Sequence, residues 1–417
     1  MSRKLFLNAR IFTPKDEGKP LRGKGQGALL SFERGALLVE GGIIKEAGPE
    51  DEVLSRLSPS EVEERVDLEG RCVVPGFVDP HTHMCFVGTR EEEFAMRLRG
   101  ATYMEILQAG GGILSTVRAV RSSPREALLE WTRRNVRKAL SMGTTTVEIK
   151  SGYGLDPETE LAMLEVISRI PSELPVDVVP TFMGAHAFPP EFKDRKEAYV
   201  DLICDEMLPR VASQGIARFC DVFCENGVFD LEQTERILRR AQELGLGAKM
   251  HADEIEDMGG AKLAAKLRVK SADHLLAASE EGLRAMAEAE VVGVLLPATA
   301  LSLRKPFADA RRMIDLGVPV AISTDCNPGS SYCESMPLVF ALSVLRMGMS
   351  PEEALVASTL NAAHAVGMAS LVGSLEPGKQ ADFLVLDGKT PAALAYRLGS
   401  APVRMVYKRG ELVHVSD

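Results

Sequence analysis

Two histidines sit one residue apart at the close of an apolar run in PGFVDPHTHMCFVGTR (75–90). A strand repeats every two residues, so His81 and His83 project to one face and can share one cation. Taken alone the pair has a plainer explanation, in which one imidazole caps the strand and the other bonds a backbone carbonyl. His251 in GAKMHADE and Asp325 in AISTDCNPG tip the balance towards a metal. Together the four residues offer three nitrogens and one oxygen, a shell that divalent zinc or iron accepts. A dication held by three neutral imidazoles and one carboxylate keeps a net positive charge. Such sites lower the pKa of bound water from about 15.7 to about 7, roughly 12 kcal/mol in favour of hydroxide. The expected chemistry is hydrolysis at neutral pH.

Other residues near these ligands can share the work. Asp325 can bind the ion through one oxygen and take a proton from water through the other. Glu254, three residues past His251, is placed for proton transfer, with a solvated loop carboxylate as the plain alternative. His274 in SADHLL is a candidate acid or electrophile towards the attacked carbonyl; otherwise its ring bonds Asp273 or backbone. Tyr153 lies between Gly152 and Gly154, where a loop can fold close over a ligand, or it is a packing tyrosine. Arg90 either pairs on the surface with Glu91, Glu92 or Glu93, or overhangs the site and clamps a carboxylate bidentately. The AGGGI at 109–113 has no GK[ST] after it and reads as a tight loop.

These positions need a frame that brings them together. Eight short β runs alternate with amphipathic stretches such as SPREALLEWTRRNVRKALSMG and LEQTERILRRAQELGLG. The runs are GFVDPHTH, GTTTVEIKSG, VDVVPTFMGAH, ARFCDVFCE, GAKMHADE, KSADHL, VVGVLLPAT and PVAISTDCNPG. That order predicts an α/β fold, a parallel (β/α)8 barrel of the TIM type, whose chemistry gathers where the strands end. The polar residues closing the runs are His81 and His83, Tyr153, His186, Glu225, His251 with Glu254, His274, and Asp325 with Asn327; five of the seven histidines are among them. Binuclear barrels of this kind bridge their ions with a lysine on the fourth strand, and ARFCDVFCENG has none, so one metal is expected. Lys150, on the second run, reads as a surface or loop charge.

Both chain ends carry period-two alternation bounded by Gly and Pro, as in KLFLNARIFT, GALLVEGGIIKEAGP and VRMVYKRGELVHV. They are expected to pair into a small β-sandwich domain built from residues 1–75 and 371–417, with the catalytic barrel over 76–370. Net charge is −10 with no Lys/Arg-rich block, which argues against nucleic acid. No apolar run approaches a membrane span and the N-terminus lacks the apolar core of a signal peptide. Seven cysteines spread from Cys72 to Cys333 argue for a reducing, cytoplasmic setting, with Cys220 and Cys224 as buried thiols on a strand.

PGFVDPHTH, the distant His251, His274 and Asp325, and the closing NAAHAVGM and GSLEPGKQADFLVLD resemble the amidohydrolase superfamily over nearly the whole chain. More narrowly, FVGTREEEFAMRLRGATYMEI, AGGGILSTV, EIKSGYGL, TFMGAHAFP, HADEIEDMGGAKLAA, SADHL and STDCNPGSS are similar, in order, to the branch that opens the imidazolone ring in histidine degradation. The resemblance implies hydrolysis of 4-imidazolone-5-propanoate, a small carboxylate-bearing substrate, to N-formimidoyl-L-glutamate. It implies one divalent or trivalent metal per protomer, zinc or iron, on His81, His83, His251 and Asp325. By motif it carries substrate contacts onto Arg90 (GTRE), Tyr103 (GATYMEI), Tyr153 (SGYG), His186 (GAHAFP), Glu254 (HADE), and Asn327, Gly329 and Ser330 (DCNPGSS). The implied mechanism is hydroxide attack on the ring carbonyl, with the oxyanion stabilised by the metal and His274 and a proton delivered to the departing nitrogen by Asp325 or Glu254. A homodimer and a barrel with a composite β-sandwich are also implied. One departure is Arg268, where the family pattern leads to a glycine at a helix end. Rival readings are another cyclic-amide hydrolase or deaminase of the superfamily, and a non-catalytic assembly protein on the same fold.

Overall fold

The computed structural model describes residues 3–58, 62–102, 105–106 and 109–416, so Tyr103 lies outside the described residues. The chain begins with β1 (Arg3–Pro14), β2 (Leu29–Glu40), β3 (Ile43–Pro49), β4 (Glu64–Asp67) and β5 (Cys72–Pro75). β1 and β2 are longer than the sequence pattern suggests, twelve residues each. Their pairing shifts register between Phe6 and Ala9, around Asn8, whose φ is 53°. A local irregularity lets one long ribbon carry what the alternation renders as separate short pieces.

From Gly76 the chain passes directly into the barrel. Its strands are β6 (Phe77–Asp79), β7 (Thr144–Lys150), β8 (Asp177–Ala185), β9 (Phe219–Cys224), β10 (Gly247–Ala252), β11 (Ser271–His274), β12 (Val292–Leu295) and β13 (Val320–Ile322). Each pairs in parallel with the next, giving the order β6 through β13, and helices fill the connections. The eight predicted β runs are these eight strands. The connections start where short polar side chains cap free N–H groups: Asp156 before Pro157–Glu173, and a reciprocal Asp230–Gln233 box before Leu231–Glu243. Among the described residues, no helix is long and apolar enough to cross a membrane.

The first strand is shorter than the H-x-H reading assumes. β6 stops at Asp79 because Pro80 has no N–H to give a ladder. Beyond it the backbone is held from both sides: Lys150 N donates to Thr82 O (2.9 Å), Asp325 N to His81 O (3.1 Å) and His83 N to Cys326 O (3.0 Å). The last two bonds join the segment after β6 to the segment after β13 and bring the ends of the barrel together. Asp79 strengthens that seam by accepting from the hydroxyls of Ser323 and Thr324.

The chain ends in β14 (Phe383–Leu386), β15 (Val403–Lys408) and β16 (Glu411–Val415). β5 lies between β1 and β14, so one hydrogen-bonded sheet contains strands from both termini. Phe6, Phe383 and Tyr407 pack at its core with ring centroids 4.5 to 5.2 Å apart. Lys408 Nζ, 2.6 Å from both Asp382 and Asp177, ties this sheet to the start of β8.

Candidate metal centre and its cavity

Two of the candidate imidazoles are aimed by buried carboxylates. Asp273 Oδ2 lies 2.5 Å from His81 Nδ1, and Asp221 Oδ1 lies 3.0 Å from His251 Nδ1. A carboxylate there makes Nδ1 the donor, leaving each Nε2 lone pair free to point inward. The inward atoms meet: His251 Nε2 is 3.3 Å from His83 Nε2, and Asp325 Oδ1 is 3.5 Å from His81 Nε2 and 3.6 Å from His83 Nε2. Donors about 2.0–2.1 Å from a tetrahedral ion stand about 3.3–3.4 Å from one another, so these separations fit a shared metal. His81 Nε2 is buried with no hydrogen-bond partner among the described residues, which a ligand atom without its ion would be. All four residues are buried.

Electrostatics favour the same use. Burial holds His81, His83 and His274 well below the ordinary imidazole range, so they stay neutral. Burial also opposes charge on His251, but the Asp221 carboxylate outweighs it and raises that ring's pKa. Burial pushes Asp325 up to about 6, although its Oδ2 accepts a 2.6 Å bond from Thr299. Asp325 and His274 both hold positive φ, 51° and 76°, a conformation uncommon for side-chain-bearing residues and frequent where function fixes the backbone.

Above these donors lies a cavity of ≈ 490 Å³ whose wall includes His83, Tyr153, His186, Glu254, His274 and Asp325. Glu254 Oε2 stands 3.6 Å from His274 Nδ1, and burial, with Asp325 second, pushes its carboxyl up to about 7. Two neighbours set its loop. Glu225 accepts from Ile255 N, and Asp253, at φ 49°, caps the helix Gly260–Leu267 through Met258, Gly260 and Ala261 N–H groups. Asp273 serves His81, and His274 faces Glu254.

His186 donates Nδ1–H to Gly152 O (2.9 Å) and stacks on His83 with centroids 4.8 Å apart. Its pKa falls to about 3, chiefly by burial. Tyr153 is buried beside it, centroids 5.3 Å apart. Gly152, at φ 94°, cannot carry a side chain here: a Cβ would meet His186 Nδ1 at 2.9 Å.

Arg90 lines the cavity and is also bidentate to Glu93, Nε to Oε1 at 3.0 Å and Nη2 to Oε2 at 2.7 Å. The pairing with Glu93 that the sequence offered is present, though largely buried and not on the surface. Glu93 in turn accepts from Gly112 N, so the AGGGI segment is a tight loop ahead of the helix Ile113–Ser122. The guanidinium packs against Gly329, where a Cβ would stand 2.3 Å from Nη1. Asn327, Gly329 and Ser330 reach the cavity wall as a pinned turn, since Asn327 Oδ1 accepts from both Gly329 N (2.9 Å) and Ser330 N (2.8 Å).

Lys150 corrects the sequence reading. It is fully buried, 2.7 Å from both Glu148 and Asp221, and no surface charge. Asp221, Glu148, Lys249 and Thr299 also escaped that reading, and Asp273, offered there as a partner of His274, bonds His81 instead. Period two was the available signal, because Lys249 shares a strand face with His251 and Glu148 with Lys150. Cys220 and Cys224 are buried free thiols on β9, as expected.

Residues 72–413 match the amidohydrolase family. The chain is 59% identical to the imidazolonepropionase of Syntrophobacter fumaroxidans over 98% of this chain and 96% of that protein. It is 56% identical to the imidazolonepropionase of Desulfotalea psychrophila over 99% and 100%. A crystal structure of a mutant atrazine chlorohydrolase from Arthrobacter aurescens, complexed with zinc and atraton, superposes with a TM-score of 0.75 at 18% identity, covering 99% of this chain and 95% of that one.

Proposed function

The chain belongs to the amidohydrolase family, among its imidazolonepropionases, and from that premise we propose how its residues open the ring of 4-imidazolone-5-propanoate to N-formimidoyl-L-glutamate. The observation that carries the reading is the set of donor atoms of His81, His83, His251 and Asp325, with contacts of 3.3 to 3.6 Å, at the floor of a cavity that Arg90 also lines. These four would hold one metal ion, zinc or iron. When bound, such an ion acidifies water from a pKa of about 15.7 towards 7, supplies a nucleophile at neutral pH and polarises a carbonyl.

The protein's own groups do the rest. Arg90 takes the propanoate, with Tyr153, Asn327, Gly329 and Ser330 shaping that end of the cavity; Tyr103 completes the contacts carried by motif. His186, with Nδ1–H spent on Gly152, presents Nε2 to the ring. His274, neutral, donates towards the developing oxyanion. The C–O bond forms at the ring carbonyl, the bond from that carbon to the adjacent ring nitrogen breaks, and the nitrogen takes a proton. Glu254 is the better shuttle for that proton: it is pushed to about 7, whereas Asp325 has one oxygen among the imidazoles and the other bonded to Thr299. The same reading carries a cytoplasmic homodimer, with domains 1–75 plus 371–417 and 76–370.

The test is a substrate panel with metal-reconstituted protein. N-formimidoyl-L-glutamate should appear from 4-imidazolone-5-propanoate, and the same ring without its propanoate should react far more slowly. An untouched substrate, or equal turnover of the carboxylate-free ring, contradicts the assignment.

A further inference from the structure

Beneath the ligand histidines the barrel interior is charged where packed aliphatic side chains are the rule. Glu148, Lys150, Asp221, Lys249 and Asp273 are all 0% exposed. Strand periodicity puts them there: Glu148 and Lys150 alternate on β7, and Lys249 precedes His251 by two on β10. Lys150 Nζ lies 2.7 Å from Asp221 Oδ2, 2.7 Å from Glu148 Oε2 and 4.0 Å from Asp273 Oδ2. Lys249 Nζ lies 2.8 Å from Glu148 Oε2 and donates to Pro80 O (2.7 Å), the carbonyl just ahead of His81. Thr181 Oγ1 donates to the other oxygen of Glu148 (2.5 Å).

Two of the three carboxylates within 4.0 Å of Lys150 are those that aim the ligand rings, Asp221 at His251 and Asp273 at His81. We propose that Lys150 is a positioning residue for the metal centre: its ammonium, set between Asp221 and Asp273, fixes the two carboxylates that turn His251 and His81 towards the ion. This rests on the reading of His81, His83, His251 and Asp325 as metal ligands. Without Lys150, two buried anions face each other across the floor, and each relieves the repulsion by swinging away, taking its imidazole along. Lys249 also favours the charged form of Asp273, but its ammonium bonds Glu148 and the backbone at Pro80, and the ion pair to Asp221 is made by Lys150. Partners of ligand imidazoles typically change metal affinity by about 10–100-fold when altered.

The rival role for Lys150 is to neutralise Glu148 and nothing more, and a charge-balanced variant separates the two. Lys150→Met removes the ammonium; Lys150→Met with Glu148→Gln removes one buried charge of each sign and keeps the balance of the floor. Cobalt(II) is the probe, because its visible spectrum reports ligand geometry as its titration reports affinity. Wild type should take up one cobalt per chain. Both variants should bind cobalt at least about tenfold more weakly, with an altered visible spectrum, and turnover on the loaded protein should lose kcat while KM stays near wild type. If Lys150→Met alone does not fold, the double variant carries the same comparison. Wild-type cobalt affinity and spectrum in the double variant, or in Lys150→Met itself, would overturn the proposal. Failure of the wild type to bind one cobalt would instead strike the metal reading on which it rests.

Discussion

As the proposed proton shuttle, Glu254 would set the pH range in which the site can work. Its carboxyl, pushed up to about 7, must be ionised to accept a proton and protonated to return it to the leaving nitrogen. Rate should therefore rise with pH through about 7. Glu254→Gln should lower kcat by about 10²–10⁴-fold with little change in KM, and remove that limb from the pH profile; an unchanged limb would assign it to another group. Arg90 tests the substrate end. Arg90→Ala removes charge-assisted bonds worth about 1.5–3 kcal/mol, so KM should rise by about 10–150-fold while kcat moves little; equal loss in both would contradict a clamp. At this scale the four donors and His274 were legible because each lies where a β run closes, whereas Arg90 stood out only through the motif around it. The floor was not, because a charge on a strand defaults to solvent, and Lys150 shows how that default fails when carboxylates from neighbouring strands meet it.

The helix Gly260–Leu267 follows His251 and ends on Arg268 at φ 49°, the left-handed conformation that favours glycine. That geometry is the reason a glycine suits the position, and it makes the departure noticed in the sequence testable. Arg268→Gly should raise stability by about 1 kcal/mol, read by denaturant or thermal unfolding, and leave kcat/KM unchanged. A fall in stability would mean that the exposed arginine contributes contacts that outweigh the backbone strain. The eight strands were readable from short β-rich runs separated by helical periodicity. The end of β6 needed more: Pro80 stops the ladder at Asp79, and bonds from Lys150, Asp325 and Cys326, remote in sequence, position the two histidines in its place. Asn8, at φ 53° within β1, likewise belongs to one long ribbon that alternation alone renders as fragments.

Across the whole molecule, the interior carries more charge than an aliphatic core would, and the ion should repay part of that cost. Burial pushes Asp325, Asp273 and Asp79 each up to about 6, above their unfolded values. Such groups contribute stability that is fully present below the unfolded pKa, near 3.8, and lost as pH rises through about 6. Metal binding runs the other way, because it requires Asp325 ionised and the imidazoles neutral, and protons compete with it. With free metal at about 100 times its Kd, the loaded protein should be about 2.7 kcal/mol more stable than the chelated one near pH 8. That gap should shrink as pH falls through about 6; a gap that widens on acidification would contradict Asp325 as a ligand. The most direct test of the site as a whole is turnover of 4-imidazolone-5-propanoate during titration of metal-free protein with zinc or iron. Activity should rise linearly and break at one equivalent per chain. Full turnover without metal, or a break at two equivalents, would contradict a mononuclear centre on His81, His83, His251 and Asp325.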